Sequence, residues 1–106
     1  MIDEERCRLK IDEREILYHY GFEPQVQKLK EELIELFDAA NGYLDKTDTE
    51  EHFLEEIGDV LVMCDQMTIH FNAGDRIEEI MKSKVQRQKR RIANELRQGA
   101  SKDSAR

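Results

Sequence analysis

Residues Thr49–Phe71 read TEEHFLEEIGDVLVMCDQMTIHF. At about 100° of turn per residue, Phe53, Ile57, Val60, Leu61, Cys64, Met67 and Phe71 gather on one apolar arc, so the stretch predicts a long helix. Glu56 falls inside the edge of that arc beside Met63, and Asp59 lies one turn further along the same border. A carboxylate drawn into a packing face loses more on desolvation than the packing around it returns, unless something positive meets it. The pattern therefore predicts a cation or a basic side chain at Glu56 and Asp59.

A second stretch, Gln25 to Ala40 (QVQKLKEELIELFDAA), supplies a matching pair. Val26, Leu29, Leu33, Leu36, Phe37 and Ala40 form one apolar stripe, flanked by a second stripe of Gln25, Lys28, Glu32, Glu35 and Ala39. Glu32 and Glu35 are neighbours at i, i+3. If the two apolar stripes pack together, Glu32, Glu35, Glu56 and Asp59 converge on one cleft. Four carboxylates so placed repel one another. The arrangement suits hard divalent cations such as Mg²⁺, which take oxygen ligands and keep waters for a phosphate-bearing substrate.

Length and composition bound the rest. A chain of 106 residues predicts one domain. Its core is modest for a helical protein that also carries a cleft, so covering one helix face with a second copy, as a homodimer or homotetramer, is the expectation. A single proline, five glycines and 39% charged residues fit long helices. No apolar run approaches the ~20 residues of a membrane span, and no signal-peptide pattern marks the N-terminus. Cys7 and Cys64 lie far apart in sequence, and a thiol on a helical apolar face acts as a small hydrophobe. A reducing, cytoplasmic setting is the expectation.

The net charge of −7 conceals an asymmetry: residues 1–80 carry 8 Lys and Arg against 22 Asp and Glu, whereas residues 81–106 carry 9 against 2. The acidic part argues against a nucleic-acid surface, and the basic segment lacks the interleaved aromatics that such surfaces use. Phosphate binding on a smaller scale fits the basic segment better.

Along the chain, Asp3–Tyr20 predicts a first helix that stops at Gly21. Pro24 sits just inside the second helix, which Asn41-Gly42 ends. Asp48 with Glu51, or Thr47 with Glu50, offers a cap for the third helix. Asp75 offers one for the fourth, on which Lys84, Gln88 and Arg91 share a face with Arg87 close by. Residues 1–97 then form an all-α domain, an antiparallel bundle of about four helices completed by oligomerisation, and 98–106 a disordered polar tail.

The segment Glu31-Glu32-Leu33-Ile34-Glu35 followed by Glu56-Ile57-Gly58-Asp59 resembles the EExxE and ExxD signature of the MazG-like nucleotide pyrophosphohydrolases, part of the all-α NTP pyrophosphatase superfamily. The likeness extends over roughly residues 20–92, from Tyr20 through Gln25 to the basic Lys84–Arg91 segment. It implies hydrolysis of a nucleoside triphosphate between the α- and β-phosphates, giving a monophosphate and pyrophosphate with Mg²⁺, or Mn²⁺ in its place. By motif position Glu32, Glu35, Glu56 and Asp59 are the implied metal ligands, and either Glu31 or Glu35 the residue that orients the water. Lys84, Arg87 and Arg91 are the implied phosphate contacts, and Gln25 approaches the base or sugar.

Rival readings are specific. Glu31, Glu50, Glu51 and Glu55 read as a solvated helix face, and the basic helix also reads as an intersubunit partner for the acidic residues. His19, His52 and His70 follow no metal-ligand spacing and read as surface or packing residues. A ferritin-like di-iron bundle needs Glu-x-x-His pairs, and the chain has none. A non-catalytic helical interaction module of the same fold, binding no metal tightly at Glu56 and Asp59, is the alternative function.

Overall fold

The computed structural model describes residues 2–104, and every regular element among them is an α-helix: α1 (Asp3–Tyr20), α2 (Phe22–Leu44), α3 (Glu50–Phe71) and α4 (Gly74–Ser104). The chain divides into two compact units, 1–72 and 73–106, where the sequence predicts one domain over 1–97. No described helix is long and apolar enough to cross a membrane.

Local signals account for the helix ends. Gly21 closes α1 with φ +93°, a conformation that costs a residue with a Cβ far more, and its N–H donates to Leu17 O at 2.8 Å. Pro24 lies in the first turn of α2, where its missing N–H leaves no bond unmade. α2 runs on through Asn41-Gly42 to Leu44, so Gly42 does not end it. It serves a close approach: the carbonyl of Gly42 accepts from Thr47 N at 2.9 Å and Asp48 N at 3.1 Å, and a Cβ there would stand 2.8 Å from that of Asp48.

Thr49 caps α3, its hydroxyl accepting from His52 N at 3.1 Å, so neither predicted cap, Thr47 or Asp48, is used. Asn72, left-handed at φ 49°, closes the helix. In the second unit α4 begins at Gly74, which places Asp75 in the first turn, where a negative charge meets the positive end of the helix dipole. α4 continues past Gln98, where the sequence predicts a polar tail. Residues 105 and 106 lie outside the described residues.

In the first unit α2 and α3 pack most extensively, with α1 against both. The buried apolar residues there are few: Leu17, Ala39, Val60 and Met63. The stripes predicted to pack are buried only in part, with Val60 alone among their residues fully buried. On α2 the flanking line Gln25, Glu32 and Ala39 is buried, whereas Leu33 (47% exposed) and Phe37 (68%) face solvent. On α3 the buried line is Glu56, Val60, Met63 and Gln66, and Leu61 and Cys64 are exposed. Three helices cannot cover both stripes of each partner. The inner seam therefore mixes Gln25, Glu32, Glu56 and Gln66 with Leu17, Ala39, Val60 and Met63, and large apolar side chains such as Phe37 remain outside.

Candidate metal centre

The polar seam is where the acid pairs meet. Glu32 and Glu35 rise one turn apart on α2, Glu56 and Asp59 one turn apart on α3, and each offers a carboxylate oxygen such that all four lie within 4.8 Å of one another. Glu32 and Glu56 are buried, while Glu35 and Asp59 open to solvent. One oxygen on each buried acid, Glu32 Oε2 and Glu56 Oε2, has no hydrogen-bond partner. Buried carboxylate oxygens left unmatched are costly, and four negative charges at this separation raise the cost.

On the α2 side a positive charge is supplied by Lys28, whose Nζ lies 3.2 Å from Glu32 Oε1 and 3.7 Å from Glu31 Oε2. With His52 beside Glu56 on the α3 side, two cationic groups face four acids. Burial pushes the Glu32 carboxyl above its ordinary range, and Glu35 adds to the shift while Lys28 opposes it. The lysine is pushed up in turn, chiefly by its bond to Glu32. An all-oxygen donor set with two unmatched buried oxygens and excess negative charge fits a hard divalent cation.

On the α3 side, Glu56 is held by a histidine. His52 Nε2 lies 3.1 Å from Glu56 Oε1, and His52 Nδ1 lies 2.5 Å from Asp48 Oδ2. Asp48 is fixed in its turn by accepting from Thr49 N at 2.7 Å. The bond to Asp48, and then the field of the two acids, push the His52 imidazole up, favouring its charged form, and the same contact holds Asp48 below the usual carboxylate range.

A cavity of about 560 Å³ adjoins the cluster. Glu31, Glu32 and Asp59 form part of its wall, with Lys28. Ile16 and Tyr20 of α1 and Val62 and Met63 of α3 make it largely apolar elsewhere. Gln25 and Gln66 also line it, joined by a bond of 2.8 Å from Gln25 Nε2 to Gln66 Oε1. Gln66 Nε2 in turn donates to Met63 Sδ at 3.9 Å, which leaves the Gln25 carbonyl oxygen over. The cavity thus offers carboxylates at one wall, apolar and aromatic surface at another, and the amide of Gln25 between them.

Of the residues expected at a site, the first unit brings together Gln25, Glu31, Glu32, Glu35, Glu56 and Asp59. Lys84, Arg87 and Arg91 are exposed on α4, in the second unit. Sequence reasoning passed over Lys28, Gln66 and His52. Lys28 sits at i−4 from Glu32, Gln66 lies on the face of Asp59 seven residues on, and Asp48, His52 and Glu56 form an i, i+4, i+8 series. Those spacings were the available signal. Comparison with protein-family models, with characterised proteins and with solved structures finds no match.

Proposed function

We propose that the chain is a divalent-cation-dependent nucleoside triphosphate pyrophosphohydrolase, splitting an NTP or dNTP into the monophosphate and pyrophosphate. The observation that carries this reading is the cluster of Glu32, Glu35, Glu56 and Asp59, with two buried, unmatched oxygens, beside a cavity of about 560 Å³ whose wall includes Glu32 and Asp59. The EExxE and ExxD spacing supports it independently.

In this reading the four acids hold Mg²⁺, or Mn²⁺ in its place. When bound, such a cation neutralises charge that builds on the phosphate oxygens. Glu31 or Glu35 accepts a proton from the attacking water as its oxygen bonds to the α-phosphorus; the bond from that phosphorus to the bridging oxygen breaks, and pyrophosphate departs with the oxygen. Tyr20, Ile16 and Met63 shelter the base, and Gln25 with Gln66 meets its polar edge or the sugar. Lys28 offsets charge beside Glu32. The resemblance assigns phosphate contacts to Lys84, Arg87 and Arg91, which are exposed on α4 in the second unit.

The chain acts as a homodimer or homotetramer in the same reading. Leu33, Phe37, Leu54 and Leu61, all more than two-fifths exposed, are the support: a second copy would remove them from water. Screening the common NTPs and dNTPs with Mg²⁺ for release of pyrophosphate tests the activity. Pyrophosphate without orthophosphate is the expected product. No turnover of any nucleotide, in a chain that also binds no Mn²⁺, would leave the helical interaction module as the reading.

A further inference from the structure

The Asp48–His52–Glu56 series is not explained by helix capping or by packing. The cap of α3 uses the backbone N–H of His52 and the hydroxyl of Thr49, so the imidazole is not needed for it. The ring itself is half exposed and fills no core position. Both its nitrogens are nevertheless engaged, one turn back to Asp48 and one turn on to Glu56. Asp48 is anchored by Thr49 N, which fixes the ring plane from the outer end. Glu56 has one oxygen on His52 Nε2, and its other oxygen, Oε2, is buried and unmatched.

We propose that His52 is a positioning residue for Glu56: anchored by Asp48, it occupies Glu56 Oε1 and fixes the carboxylate so that Oε2 is left for a cation shared with Glu32, Glu35 and Asp59. This rests on the reading of the four acids as a cation site. The chemistry is that of outer-sphere hydrogen bonds to metal-binding carboxylates, whose loss costs about 10–100-fold in metal affinity. His52 touches neither cation nor substrate in this scheme. It acts only through Glu56.

The test titrates Mn²⁺ into the full chain, by calorimetry and by electron paramagnetic resonance of the free ion, for wild type, His52→Ala and His52→Gln, with thermal unfolding of each metal-free protein alongside. His52→Ala should weaken Mn²⁺ binding by about 10–100-fold while metal-free unfolding stays close to wild type. His52→Gln, whose amide N–H can reach a carboxylate one turn on, should recover most of the affinity. If wild type binds Mn²⁺ and His52→Ala binds it as tightly, the positioning role is overturned and the cation site stands. An equal loss in both variants also overturns it, because the hydrogen bond to Glu56 would then not be what matters. If wild type binds no Mn²⁺, the cation site falls and the positioning role with it.

Discussion

Glu13→Gln should stabilise the protein at neutral pH and do nothing to its stability in acid. Glu13 is 1% exposed, neither carboxylate oxygen has a hydrogen-bond partner, and the half-buried Asp65 faces it from α3. Two ionised carboxylates cannot bond each other, whereas a protonated Glu13 can donate to Asp65. Burial first, then Asp65, pushes the Glu13 carboxyl from an ordinary 4.5 up to about 8, with Lys10 opposing. Below the ordinary value both folded and unfolded chains carry the proton, and the site imposes no penalty. Between the two values the unfolded chain ionises while the folded one does not, so stability falls as pH rises, and the loss levels off above the folded value. At about 1.4 kcal/mol per pH unit, the roughly three units between the ordinary value and pH ~7.5 correspond to about 4 kcal/mol. Asp65 shares the titration and is partly screened by water, so about 2 kcal/mol is the expected gain for the variant. The amide of a glutamine donates to Asp65 and never ionises. Urea unfolding followed by circular dichroism, for both proteins at pH ~4 and pH ~7.5, measures the difference. A variant that is no more stable at the higher pH, or whose advantage is the same at both, would refute the argument.

Glu56→Gln or Asp59→Asn should abolish turnover and leave the protein folded, with a metal-free unfolding temperature equal to or above wild type because one repulsive charge is gone; wild-type turnover would remove these residues from the site. Mg²⁺ or Mn²⁺ should stabilise the fold by mass action, by about 2.7 kcal/mol at a hundred times the dissociation constant, read as a rise in the unfolding temperature that a chelator reverses. Replacing Lys84 or Arg91 by a neutral residue should raise KM for the triphosphate more than it weakens binding of the monophosphate. If those residues pair with another subunit instead, light scattering should change while activity per folded site does not. Phe37→Glu should lower the molar mass seen by light scattering, since it charges a side chain that a second copy would cover; an unchanged mass places the subunit contact elsewhere.

Much of the architecture was legible because its causes are local. A helix repeats every few residues, so apolar spacing, Gly21 and Pro24 locate four helices without knowledge of their neighbours. The acid pairs were legible for the same reason: residues three apart on a helix share a face wherever that helix goes, and two such faces on successive helices invite one cleft. What sequence alone left open is the rotation of each helix about its own axis. α2 carries an apolar stripe beside a polar one, and a turn of some 100°, one residue's worth, decides which is inside. Only the packing of α1, α2 and α3 put Gln25, Glu32, Glu56 and Gln66 in the seam and left Leu33 and Phe37 outside. Tertiary structure alone also joined Gln25 to Gln66, 41 residues apart, and buried Glu13 against Asp65, since neither contact follows from spacing within a helix. His52 falls between the two cases. Its i, i+4 relation to Asp48 and Glu56 was present in the sequence, but a surface helix has many such pairs, and what gives this one consequence is that Glu56 is buried with its other oxygen unmatched.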